Sequence, residues 1–557
     1  MHRKSTWAGL ALASTGIVSI ASAAGPFAYD VVFDDQSALV NGLTLGGVGQ
    51  VVIGENGNVG AVVFVGDDFQ SAVVYNATPG NANTQGAAVG VDSNQTNGDA
   101  VYGSFTGPTP SLALMRDLAV TKNGGSGTLL TFTGKDTDDD YAVLQFDPVG
   151  NNKYRVAHNE DGYDFFGNDI NDGITHQTNA SGTVVFGASL TATNNQALVR
   201  RFQNGVATLI VEDTLTPPTA PPGEQYQNFN EESDPNEGNQ TKRAITSSGS
   251  VVFVGNDKND SGTTKLVDLP GNTQRVEPSD LASGYTPDRV VAATDTHTLF
   301  IGTGAASGFG ASGDDEKLYW RNGANAPVEL ATYERSPIGT NEVRAVGQMN
   351  ASGEAAYFAP TTNGLDYAHV GFRDATTTST IAQLGNSGNN GLDILAIGFQ
   401  GPNDPGDIPA SVPMINSNGA VVFDAVIDRS GTETQAFLVW DALGGLNVLV
   451  EQFEVVQLDL GSQTVSATIE FLLANKDYTR GATGGADADI FKDGFNDAGQ
   501  FAFSAFVSYM LNDNLVFSNA VILASIPEIG EPLVPEPATT GVLALTTAAF
   551  LARRRRS

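Results

Sequence analysis

One phrase recurs along this chain and governs what it can fold into. Asparagine, two residues, glycine and then an aromatic four positions later occurs at Asn179-Gly182-Phe186, Asn350-Gly353-Tyr357, Asn416-Gly419-Phe423 and Asn496-Gly499-Phe503. A fifth copy, TSSGSVVF, sets Thr246 in the asparagine position ahead of Gly249 and Phe253; TDTHTLF, ending at Phe300, aligns with it without the turn glycine. Looser copies, GNVGAVVF and NGGSGTLLTF, end at Phe64 and Phe132. Asparagine at the first position of a four-residue turn bonds its own backbone two residues on, and glycine at the fourth takes φ > 0 without a Cβ clash. The pair predicts a type I turn closed by a glycine bulge, hence a β-hairpin. The residues that follow alternate, Val421 and Phe423 on one face and Val422 on the other, as in a strand buried on one side.

A second phrase follows each first one: SAVVY, YAVLQF, QALVRRF, KLVDL, KLYW, AHVGF, AFLVW and NAVIL. After several of these comes a third strand, such as VATLIVE or LNVLVE, and a short one precedes each turn, as in SVPMI. The turns fall 47 to 80 residues apart. Units of that size with three or four antiparallel strands bury their faces only by stacking, which predicts an all-β, repeat-built β-propeller of about seven or eight blades. An open β-solenoid or a string of tandem β-sandwiches is the alternative. AYDVVF, at 28–33, is available to complete the last blade from the other terminus, while VSATIEFLLANKDYTRG, at 465–481, reads as a short helix or a capping strand.

Composition agrees with strands and turns: 41% hydrophobic, only 16% charged, and 64 glycines in 557 residues. The formal charge is −34, and the two termini hold six of the basic residues, so the body is more acidic still. Such a surface repels phosphate backbones, which excludes nucleic acid as a partner. No cysteine is present, which excludes disulfides, thiolate metal sites and cysteine nucleophiles.

Both ends read as addresses. Arg3 and Lys4, an apolar run from Trp7 to Ile20, and Ala21 and Ala23 make a signal peptide, residues 1–23, cut by signal peptidase after Ala23. At 531–557, Pro535-Glu536-Pro537 precedes an uncharged run from Ala538 to Ala552 and then Arg553, Arg554, Arg555 and Arg556. As a transmembrane helix those fifteen residues reach about 22 Å, short of a hydrocarbon core about 30 Å thick, with the arginines held cytoplasmic. This tail resembles the PEP-CTERM sorting signal, matched by Val534-Pro535-Glu536-Pro537, the apolar segment and the arginine cluster. The resemblance implies recognition and removal of the tail by a membrane exosortase and delivery to the outer envelope surface or an exopolysaccharide matrix, after transient anchoring in the inner membrane. The body, residues 24–530, resembles the tandem NxxGxxxF repeats of exported bacterial proteins with interchangeable C-terminal anchors.

Chemistry is sparse. Beyond His2, the histidines are His158, His176, His297 and His369, each in a different repeat, with no metalloprotease motif, nucleophile elbow or phosphate loop. The glycine-rich run at 302–317 reads as an inter-strand loop. DKNDSGTTKLVD, at 257–268, sets Asp257, Asn259, Ser261, Gly262 and Asp268 at the spacing of a calcium loop, although Lys265 takes a ligand position and no helix flanks it; a plain polar hairpin loop is the other reading. The expected role is non-catalytic, structural or adhesive binding of polysaccharide or another envelope component. The alternative is a carbohydrate-active hydrolase or lyase using a carboxylate pair.

Overall fold

The computed structural model describes residues 27–526 with gaps, the longer ones at 35–44, 77–87, 102–115, 165–175, 230–242, 306–313, 335–344, 399–411 and 474–493. The signal peptide, the sorting tail and their residues, from Ala21 and Ala23 to Arg556, lie outside the described residues. Among those described there is no α-helix, only 3-10 turns such as Pro278–Asp280, and so no helix long and apolar enough to cross a membrane. The rest of the regular structure is strand, gathered into eight sheets of four or five strands and one two-stranded pair.

The sheets are antiparallel meanders in chain order. In the sixth, Val346–Met349, Ala355–Pro360, Tyr367–Arg373 and Thr378–Gln383 lie side by side. In the third, fourth and seventh the first strand comes in two pieces: in the seventh, Asp393–Ile397 and Met414–Ile415 both pair with Val421–Asp428. The eighth sheet joins both ends of the described chain. Ala28–Asp34 pairs antiparallel with Asn514–Ser525 and parallel with Val455–Asp459, completing a closed set with Thr464–Leu473 and Gln500–Leu511. The 465–481 stretch is therefore strand where it is described, through Leu473.

The second-phrase segments are strands that pair with those carrying the first phrase: Tyr141–Asp147, Asn195–Arg201, Thr263–Leu269, Asp314–Asn322, Tyr367–Arg373, Glu433–Asp441 and Asn514–Ser525. Their apolar side chains bury between successive sheets. One cluster joins Val52 and Val62 to Leu118 and Leu130, the next Val143 and Val156 to Val184 and Phe186, another Leu198 to Phe253 and Val267. The order returns on itself: Val51, Ile53 and Val63 of the first sheet pack with Phe33, Val521 and Leu523 of the eighth. Phe186, Phe253, Tyr357, Phe423 and Phe503 are all at most 2% exposed, and each such burial is worth about 2 kcal/mol.

The turns tie the sheets together. Asn179, Asn350, Asn416 and Asn496 are buried, and each Oδ1 accepts the backbone N–H four residues on, at 2.9–3.0 Å. Each Nδ2 then donates to the matching turn of the next sheet: Asn179 to Thr246 O at 3.1 Å, Asn350 to Asn416 O at 2.8 Å, Asn416 to Asn496 O at 3.2 Å, and Asn496 to Gly54 O at 3.0 Å. Gly182, Gly249, Gly353, Gly419 and Gly499 take φ of +73° to +84°, as the bulge requires. Their carbonyls are used too. Gln145 donates to Gly182 O, Arg200 to Gly249 O and Trp320 to Gly353 O, so the second phrase of one sheet grips the first phrase of the next.

The first copy is offset from its expected place. The positive-φ glycine is Gly57, with Gly57 N–H bonded to Gly54 O, while Gly60 lies within the strand Val59–Val65. The turn is therefore built on Gly54, which lacks a side-chain amide and serves as the acceptor for Asn496.

Candidate functional site

The residues singled out in the repeat serve the joints just described. The calcium reading is corrected by the register. Val251–Asp257 and Thr263–Leu269 form a hairpin with Asp257 opposite Thr263 and Asp268 opposite Val252. The two carboxylates thus stand five residues apart along the ladder, about 17 Å, so Asp268 does not join Asp257, Asn259 and Ser261 in one site. The chain supplies its own cation instead: Lys265 Nζ lies 2.9 Å from Asp257, 3.2 Å from Asp260 and 3.5 Å from Glu224. Burial pulls the Lys265 ammonium down, but its bonds to Asp257 and Asp260 outweigh that and hold it above the ordinary lysine range. Ser261 and Gly262, both at positive φ, close the hairpin tip.

The eighth sheet differs from the others. Its hairpin of Gln500–Leu511 and Asn514–Ser525 has twelve residues in each strand. Near its base both faces are buried, Phe501 and Phe503 toward the seventh sheet and Ala502 and Val521 toward the first. Farther out, Val507 and Tyr509 stay in the core while the opposite face emerges, with Met510 at 56%, Leu515 at 58% and Phe517 at 51% exposure. Phe471, at 52%, is the register partner of Phe506, and the Phe506 and Phe517 rings stack at 5.9 Å with planes 10° apart. Polar groups are interleaved. Val455, Thr468, Ser508 and Phe517 form one row across four strands, Ser508 Oγ donates to Glu470, and Gln457 donates to Ser466 Oγ at 2.8 Å. The result is an aromatic strip bordered by hydroxyl, amide and carboxylate groups.

A cavity of about 220 Å³ opens where the N-terminal strand meets Val455–Asp459, lined by Phe27, Tyr29, Glu454, Val455, Asp459 and Thr464 among others. It exists because the parallel pairing of the N-terminal strand is short, limited to Tyr29 with Leu458 and Asp30 with Asp459. Tyr29 is anchored by its hydroxyl, which donates to Leu449 O at 2.7 Å. Burial pushes the Glu454 carboxyl up to about 7, with the backbone N–H of Glu451 and the charge of Arg429 opposing and the Glu451 carboxylate adding. Burial and the Asp459 carboxylate likewise raise Asp30.

Neither feature was anticipated. The hairpin's signal lay in FAFSAFVSYML, where Phe506 and Met510 fall on the face opposite Phe503 and Val507: a strand apolar on both faces beyond the reach of its neighbours.

No protein-family description and no curated protein matches the chain. Among solved structures, it is similar to TolB from Acinetobacter baumannii at 13% identity over 59% of this chain and 62% of that one, TM-score 0.25. It is similar to an acylaminoacyl peptidase of Pyrococcus horikoshii at 8% identity over 72% and 52%, TM-score 0.31, and to the polysaccharide lyase Uly1 at 7% over 80% and 94%, TM-score 0.33. The chain thus spans about half to three-fifths of the length of the first two. Likenesses this distant carry no argument about fold or activity.

Proposed function

We propose that this chain is an exported, non-catalytic binding protein of the envelope surface or its matrix, built as an eight-bladed propeller closed by its N-terminal strand. It holds polysaccharide on the aromatic strip of the closing blade. The strip is the observation that carries the reading: stacked rings meet the C–H faces of sugars, while Gln457, Ser466, Thr468, Ser508 and Asn519 offer hydrogen bonds to hydroxyls. A net charge of −34 repels polyuronates, so the fitting polymer is neutral. Signal peptidase removes residues 1–23, and an exosortase-type enzyme removes the 531–557 tail after its brief stay in the inner membrane.

Affinity electrophoresis in gels cast with neutral glucan or with polyuronate tests this. The protein is retarded by glucan and not by polyuronate, and Phe471→Ser with Phe517→Ser, both half exposed, abolishes the retardation while stability shifts by less than about 1 kcal/mol. Retardation unaltered by that double change removes the strip from the reading. Release of new sugar ends from the polymer replaces binding with hydrolysis or lysis.

A further inference from the structure

We propose that Phe453 is a further ring of the sugar-binding strip, held out at its edge by a strained turn, so that the bound polymer crosses the strands of the closing sheet and is gripped over several sugar units. The inference rests on the polysaccharide reading and adds to it a residue and a direction.

The backbone at Phe453 is built for glycine. Glu454 N–H bonds Glu451 O at 3.2 Å, which makes Phe453 the third residue of a tight turn. Phe453 N–H bonds Ile469 O at 2.6 Å and Ile469 N–H bonds Glu454 O at 3.0 Å, so Phe453 and Glu454 together oppose one residue, as in a bulge. Phe453 has φ of +66°, where a Cβ is strained and glycine is the default in turn and bulge alike. Among the described residues nine non-glycines take positive φ; eight are asparagine, aspartate, serine or glutamine, and the ninth is Phe453.

Packing does not explain the choice. A buried ring would offset the strain, but Phe453 is 56% exposed. Glycine at this position would remove both the strained backbone and the ring in water. Strain retained without a packing return marks a residue kept for what it contacts outside the fold.

Its place is the near end of the strip. The turn is pinned to the strand Thr464–Leu473, which carries Phe471: Gln452 Nε2 donates to Glu470 O at 2.8 Å, and the Glu470 carboxylate takes the Ser508 hydroxyl of the next strand. Two residues on, the exposed Val455 stands opposite Thr468, in the row that ends at Phe517. From Val455–Asp459 to Asn514–Ser525 the sheet crosses three inter-strand spacings, about 14 Å. A polymer laid across the strands passes from Phe453 by Phe471 and Phe506 to Phe517, farther than a single sugar ring reaches.

The test is affinity electrophoresis in neutral glucan of the parent chain and of Phe453→Gly, Phe453→Leu and Phe453→Tyr, with a urea midpoint for each. Phe453→Gly relieves the strained φ, so its midpoint is no lower than the parent's, while its glucan dissociation constant rises about fivefold through loss of one aromatic face. Phe453→Leu loses as much binding without the relief, and Phe453→Tyr binds like the parent. Soluble oligosaccharides of the same glucan compete with the gel more strongly as they lengthen, and Phe453→Gly removes the last step of that gain. An unaltered dissociation constant in Phe453→Gly, with Phe471→Ser and Phe517→Ser still abolishing retardation, overturns the inference and leaves the strip standing. So does a lowered midpoint in Phe453→Gly, which would make the ring part of the packing, or competition by one sugar unit equal to that by four. A parent chain that glucan does not retard overturns the inference and the polysaccharide reading together.

Discussion

Two joints between successive sheets do the same work with opposite polarity. Where the seventh sheet meets the eighth, the buried Asn416 reaches forward, its Nδ2 donating to Asn496 O at 3.2 Å while Oδ1 takes Ala420 N–H at 3.0 Å. Where the fourth meets the fifth, Thr246 has no amide to give. The exposed Asp295 reaches back instead, its carboxylate accepting from Ser247 Oγ at 2.8 Å and from Ser248 N–H at 3.2 Å. The fold thus requires a polar tie between consecutive turns, and asparagine is only one way of making it. What differs is setting: a neutral amide in the core against a charged group in water.

The sharpest way to break the comparison is to fill the turn glycines. At Gly353, φ is +82° and an added Cβ would lie 2.3 Å from the His297 ring, which is itself packed 5.3 Å from Trp320. At Gly249, φ is +84° but the nearest atom is at the far end of the long Arg200 side chain, at 3.0 Å. Gly353→Ala should cost about 3 kcal/mol, backbone strain and overpacking together, and Gly249→Ala about 1 kcal/mol from strain alone. Urea midpoints measure both; equal losses would mean that the packing of His297 is irrelevant.

Next in size is the amide itself. Asn416→Ala removes the tie to Asn496 and leaves Ala420 N–H and Asn496 O buried without it, a loss of about 2 kcal/mol. Thr246→Ala, which removes one of several hydrogen bonds to the exposed Asp295 carboxylate, should lose less than half as much. If the two lose equally, the asparagine amide is not what joins the sheets.

Much of this was legible beforehand, for physical reasons. Asparagine and glycine three apart favour one turn, and Val421, Val422 and Phe423 alternate because a strand has period two. Partners distant in sequence were not legible. Nothing local says that Asn350 Nδ2 ends on Asn416, and the motif's own logic pointed to its own backbone. The TDTHTLF copy shows the converse: Thr294 N–H bonds His297 O, a turn one residue shorter than the Asn350 N–H to Glu354 O turn, so it dispenses with the positive-φ glycine. Spacing misled at 257–268, because a ligand pattern written for a loop fell on a strand, where five residues carry Asp268 away from Asp257. The aromatic strip stayed hidden because an exposed phenylalanine and a buried one look alike until the neighbouring sheet is seen to end.

The smallest effect separates the two joints most cleanly, because it depends on pH. Burial pushes the Asp295 carboxyl up, but hydrogen bonds from the hydroxyls of Thr246, Ser248 and Ser247 and the N–H of Ser248 outweigh it, and its pKa lies below the usual carboxylate value. A depressed folded pKa gives stability that is present above the unfolded value of about 3.9 and fades as pH falls through the folded one. Because Asp295 is exposed, solvent screening holds that stability to less than about 1 kcal/mol. Asp295→Ala should therefore lower the urea midpoint slightly at pH 7 and progressively less as the pH falls below the ordinary carboxylate value, whereas the Asn416→Ala deficit, involving no titrating group, stays constant over the same range. An Asp295→Ala deficit that persists in acid would show that shape rather than charge ties the fourth sheet to the fifth, and the two joints would then be the same device after all.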